Sequence, residues 1–115
     1  MSDKLHRSLL IKEMKEIFPS LIDEINDQDG LLTMEVSVLC DYAQKNIDSM
    51  NEFELKKTFD LALKYYRGGN QEMINAIGLS FARDLNFSDS KKNSRSWAKK
   101  MISPVLLKIY EDFNE

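Results

Sequence analysis

Few residues in this chain could do chemistry. It has one histidine, His6, and one cysteine, Cys40. One imidazole and one thiol cannot assemble the His- and Cys-rich ligand sets of zinc sites. A serine triad would have to recruit His6 from beside a terminus that tends to fray. A single cysteine makes no internal disulfide, which fits a reducing compartment, read here as the cytosol. Metal chemistry would therefore fall to carboxylates. Asp23 and Asp27, four residues apart, share a helical face, yet the sequence around them is polar and turn-like, so no raised acid is expected. Asp29-Gly30 is followed by Leu31 and Leu32, without the alternating ligands of a calcium loop, and reads as a turn. Arg67-Gly68-Gly69-Asn70 lacks the lysine of a phosphate loop and reads as a helix stop. The expectation is a protein that is not an enzyme and that holds no cofactor and no metal.

Charge is the more informative signal. The 115 residues carry a net charge of −3, and its distribution is uneven. Residues 21–60 hold three lysines (Lys45, Lys56 and Lys57) against ten acids, a local balance of −7. Such a segment is solvated surface or a docking face for a basic partner, which it would steer electrostatically. The candidate contacts are Asp23, Glu24, Asp27, Asp29, Glu35, Asp41 and Asp48. Tyr65 joins them as an aromatic anchor, because the apolar series of its segment takes Tyr66 inward and leaves Tyr65 outward. The opposite signal is the run Lys91-Lys92-Asn93-Ser94-Arg95-Ser96-Trp97-Ala98-Lys99-Lys100. Its five cations and one aromatic could meet phosphates and stack a base. Against this, the chain is acidic overall and Trp97 opens an apolar stripe, so nucleic-acid binding through Lys91, Lys92, Arg95, Lys99 and Lys100 is the weaker reading. A helical homodimer burying an apolar face is a third.

The elements that must position these residues are helices throughout. Apolar residues recur at Leu10, Met14, Ile17/Phe18, Leu21 and Ile25, with Pro19 ending one helix near Phe18 and starting a short second one. Leu32, Val36, Leu39, Ala43 and Ile47 form the next stripe. Ser49 and Glu52 have the spacing of a capping box before Leu55, Phe59, Ala62 and Tyr66. Gly68-Gly69 is expected to stop that helix in the left-handed conformation, and Asn70 to cap the next, with Ile74, Ile77, Phe81 and Leu85 inward. Gly78 inside that stripe suggests a close helix crossing. Residues 87–94 read as a loop. Trp97, Met101, Val105, Ile109 and Phe113 form the last stripe, which Pro104 should kink or split. The predicted architecture is all-α, a single compact bundle of about five or six helices over residues 1–115. No apolar run is long enough for a membrane span. Met1-Ser2-Asp3-Lys4-Leu5-His6 carries an acid and no continuous apolar stretch, so it is not expected to be a secretory signal.

Glu54-Leu55-Lys56-Lys57-Thr58-Phe59-Asp60 followed by the Gly68–Leu85 segment, with Asn75, Ser80, Phe81 and Leu85 as its distinctive points, resembles a family of small helical bacterial proteins. Trp97 and Met101-Ile102-Ser103-Pro104-Val105-Leu106-Leu107 are similar to that family's C-terminal element. The likeness covers roughly residues 31–113. Ala62 stands where an acid is commoner, and Ala82-Arg83 where Leu-Glu is usual. Many members look like immunity proteins of contact-dependent or polymorphic toxin systems. The resemblance therefore implies a cytosolic inhibitor that occludes the C-terminal domain of a cognate toxin, a basic nuclease being the expected type. It implies no catalytic residues.

Overall fold

The computed structural model describes residues 4–114. Six α-helices run in order: α1 (Arg7–Ile17), α2 (Ile22–Asn26), α3 (Leu32–Asp48), α4 (Glu52–Gly68), α5 (Gln71–Ile77) and α6 (Pro104–Asn114). A 3₁₀ turn at Pro19–Leu21 leads into α2, a π-helical turn at Gly78–Ala82 extends α5, and a 3₁₀ helix at Ser96–Lys100 precedes α6. No strand occurs among the described residues; the nearest approach is an isolated bridge between Leu5 and Gly69. The fold is all-α, and no described helix is long and apolar enough to cross a membrane.

The centre of the molecule is α3. Val36, Leu39, Ala43 and Ile47 lose essentially all contact with water, and α1, α2, α4, α5 and the π turn all pack around this helix. The spacing of four and three residues puts these side chains on one stripe, whose burial against surrounding helices supplies most of the stability. Leu10, Met14, Phe18, Leu21 and Ile25 complete the same core from α1 and α2, while Ile17 is left exposed. Pro19 ends α1 and starts the 3₁₀ turn, since its ring supplies no amide hydrogen to continue a helix. Asp29 and Gly30 both adopt positive φ, at 52° and 77°, so the turn between α2 and α3 falls where the sequence puts it.

Several local devices differ from expectation. Ser49 does not cap α4; Asn51 does, its side chain accepting from the Glu54 amide at 3.2 Å. The chain first turns through Met50 at φ 58°, a conformation that a methionine sequence gives no hint of. Asn70 caps α5 as expected, accepting from the Met73 amide at 2.9 Å. Gly69 does not end α4 in the left-handed region: its φ is −81°. It is needed for space, because a Cβ there would collide with the Tyr65 carbonyl oxygen and the Met73 side chain. The crossing inferred for Gly78 is looser, since an added Cβ would meet only Ile109 Cδ1 at 3.8 Å, an ordinary contact.

The C-terminal stripe is displaced by one residue. Ala98, Ile102, Leu106 and Tyr110 are buried, whereas Val105 and Phe113 are exposed and Trp97, Met101 and Ile109 are half-buried. Pro104 separates two helices: Ser103 caps α6, accepting from the Leu106 amide at 3.4 Å, and Pro104 takes the first helical position. The buried series keeps its four-residue spacing across the break, so the displacement begins before Pro104, at Ala98. Phe87, inside the expected loop, is also buried and meets Tyr110 edge-on at 4.9 Å.

Candidate functional site

The acids proposed as contacts divide into three groups. Asp23 and Glu24 lie in the first turn of α2, where negative charge also complements the helix dipole. Asp27 and Asp29 lie in the turn that follows, and Asp41 lies on the outer side of α3; all five are exposed. Among the described residues none of the five enters an ion pair. Glu24 and Asp41 come together across a cavity of about 210 Å³, lined also by Ser20, Leu21, Tyr42 and Lys45. Two further bonds fix this region. Gln28 donates to the Glu24 carbonyl at 2.9 Å, and Lys15 of α1 donates to Asn26 Oδ1 at 2.6 Å. Leu31 and Met34 add exposed apolar surface beside the acidic turn. They fall outside the Leu32–Val36–Leu39 series, the one sequence signal that could have singled them out.

Glu35 does not belong to that surface. It is 2% exposed and accepts two bonds from Arg7, Nε to Oε1 and Nη2 to Oε2, each 2.7 Å. The pairing raises the Arg7 pKa further, burial opposing it in part. A carboxylate one turn into α3 and pointing inward demands such a partner, because unpaired burial of charge is costly. Arg7 also reaches the acidic turn, its guanidinium lying 3.4 Å from where a Gly30 Cβ would stand. This pair therefore joins the start of α1, the α2–α3 turn and α3.

Asp48 lies apart from the acidic face. It sits at the last residue of α3 and accepts from Arg95 Nε at 2.6 Å and from Gln44 at 3.2 Å. The Arg95 bond holds its carboxyl below the usual range, with burial opposing. The pairing offsets the unfavourable position of an acid at a helix C-terminus.

Tyr65 is 1% exposed, and Tyr66 is the half-buried member of the pair. From Ala62 a helical stripe can continue at either the third or fourth residue, and the core takes the third. Burial and the neighbouring Glu13 carboxylate push the Tyr65 phenol well above its ordinary pKa. Burial pushes the Glu13 carboxyl up, but Lys64, bonded to Oε1 at 2.6 Å, and the phenol together outweigh it and hold the group low. Oε2 is buried without a hydrogen bond of full geometry. Tyr65 is a core residue and no anchor for a partner. Beside it, Glu13, Ile17, Lys57, Asp60, Leu61 and Lys64 line an open groove of about 390 Å³ between α1 and α4, which sequence reasoning did not find.

The basic run is largely tied down. Asp89 accepts from the Arg95 and Ser96 amides at 2.8 and 2.9 Å and from Ser96 Oγ at 2.9 Å, capping the 3₁₀ helix. Arg95 is committed to Asp48, Lys99 lies over the Tyr110 ring at 5.8 Å, and Trp97 Nε1 donates to the Ser94 carbonyl at 2.7 Å. Lys91, Lys92 and Lys100 remain exposed. Trp97, the one aromatic of the run, is half-buried against the core. Cys40, buried under the π turn and bonded to the Phe81 carbonyl, has its thiol pushed up to about 12 by burial and by the nearby Asp41 and Asp84. That thiol is unsuited to nucleophilic work.

No curated protein and no solved structure matches the chain. One family model does match, over residues 11–115, and its description says nothing of immunity proteins. By that match the chain belongs to the family described as a domain of unknown function, DUF7674.

Proposed function

We propose that this protein is an immunity-type inhibitor that acts in the cytosol by binding a basic toxin domain, of nuclease type, and covering its active site. The observation that carries the reading is the cluster Asp23, Glu24, Asp27, Asp29 and Asp41. All five are exposed, and none enters an ion pair among the described residues. Unpaired acids concentrated on α2, the following turn and the adjacent side of α3 supply a field that accelerates encounter with a cationic surface. Leu31 and Met34 supply apolar area that could be dehydrated once the encounter is made. Glu35 and Tyr65 are buried and Asp48, though exposed, is bonded to Arg95, so these three take no part. Inhibition is then stoichiometric occlusion and needs no catalytic group, cofactor or metal.

The test is affinity capture from the source organism with the intact protein as bait, followed by co-expression. A partner whose C-terminal domain arrests growth alone, and is silenced by this protein at equal stoichiometry, supports the reading. Reversing Asp23, Glu24, Asp27 and Asp29 to lysine together should slow association by roughly 10-fold or more at low salt and flatten its salt dependence. An unchanged rate overturns the acidic face. Failure of any captured partner to arrest growth overturns the inhibitor reading itself.

A further inference from the structure

Residues 5–7 are anchored at two places well separated in the chain. Leu5 donates its amide to the Gly68 carbonyl at 2.8 Å, and its own carbonyl accepts from the Asn70 amide at 3.2 Å. Together these bonds form the isolated parallel bridge to Gly69. They satisfy a carbonyl at the end of α4 and an amide just before α5, groups of the kind that helix termini leave without partners. The Leu5 side chain packs half-buried against the core, its Cδ1 only 2.9 Å from where a Gly68 Cβ would stand. Two residues later, Arg7 makes its two bonds to buried Glu35 on α3 and lies against Gly30 in the α2–α3 turn. Between them, the His6 carbonyl accepts from the Leu9 and Leu10 amides and so starts α1.

We propose that Leu5, His6 and Arg7 act as one strap that closes the α4–α5 corner and the α2–α3 turn together, so that loosening either place loosens the other. The reason is reach. Leu5 and Arg7 are two residues apart, at most about 7 Å of chain, so neither anchor can be withdrawn far without dragging the other. Opening the strap strips Gly68 and Asn70 of their backbone partner and Glu35 of its counter-charge at once. Those losses fall on a single event, which makes the segment one cooperative unit. The coupling is reciprocal, because both anchors bias the same opening. The turn held in this way carries Asp27 and Asp29, so the strap sets how firmly those acids are presented. It is a property of the fold and stands or fails whether or not the acidic face meets a toxin.

Amide hydrogen exchange of the full chain, read residue by residue by NMR, tests this. One reporter is the Asn70 amide, bonded to Leu5; the other is the Leu31 amide, which follows Gly30 and donates to the Gln28 carbonyl at 3.1 Å. Arg7→Met alters no group at the α4–α5 corner, yet it should speed exchange at Asn70 by about tenfold or more. Leu5→Pro removes the donor to Gly68 and alters no group at the turn, yet it should speed exchange at Leu31 by about threefold or more. Arg7→Lys keeps the charge without the two-bond fork and should speed Asn70 less than Arg7→Met does. The Glu54 amide, held by the Asn51 side chain at the other end of α4, should keep its rate in all three variants. Faster exchange confined to the altered end overturns the strap, because independent anchors would behave in that way. Equal acceleration at Glu54 overturns it too, since the change would then be a general loosening of the fold.

Discussion

Replacing Arg7 by methionine should destabilise the protein by about 2–3 kcal/mol. The figure follows from the geometry of one pair. Arg7 gives Glu35 two bonds of 2.7 Å, and among the described residues no other side chain donates to that carboxylate. With Glu35 only 2% exposed, losing Arg7 strands a charge in the interior, a change that typically costs about 3–5 kcal/mol. The Arg7 side chain is 40% exposed, so water already screens the pair and can approach once the guanidinium is gone, which lowers the expected cost. Urea unfolding followed by circular dichroism measures it, and the thermal midpoint should fall by roughly 4 °C for each kcal/mol. The second arm is Arg7→Met with Glu35→Met, which removes both charges and leaves apolar volume. It should be more stable than Arg7→Met alone, with a coupling of at least about 1.5 kcal/mol. Loss of less than about 0.5 kcal/mol from Arg7→Met would refute the reasoning, since a charge stranded at that depth cannot be so cheap. Additive single changes would equally refute it, by showing that the two residues do not act on one another.

Two further outcomes follow from the packing. Leu106→Ala should cost about 2–4 kcal/mol and Val105→Ala less than about 1 kcal/mol by chemical denaturation; equal losses would mean that the buried stripe of α6 is not the one at Ile102, Leu106 and Tyr110. Tyr65 has a folded-state pKa above its unfolded value of 10.0, so the stability it contributes is complete below that pH and is lost as pH rises beyond it. The gap in thermal midpoint between the protein and its Tyr65→Phe variant should therefore narrow from about pH 9 to about pH 11, and a constant gap would show that the phenol is not held protonated by the fold.

The sequence by itself determined that the chain is helical and where most helices begin and end. Periodicity alone places Leu32, Val36, Leu39, Ala43 and Ile47 on one stripe, and all five are buried. Pro19, the Asp29-Gly30 turn and the Asn70 cap act through the backbone of their immediate neighbours, so they are legible locally. Of the eight residues singled out for a partner, five are exposed and enter no ion pair among the described residues, and these are the ones whose surroundings are local and polar. The other three needed the tertiary structure. Glu35 finds Arg7 across 28 residues and Asp48 finds Arg95 across 47, separations at which spacing carries no information. Tyr65 and Tyr66 sit 100° apart on α4, and only the packing of the helices around α4 decides which is buried. The same holds for α6, whose inward side runs through Leu106 and Tyr110, continuing the series from Ala98 and Ile102, in place of the stripe through Val105 and Phe113. Helical order is a property of neighbours in the chain, whereas burial of a charge or a ring is set by what arrives from elsewhere to cover it.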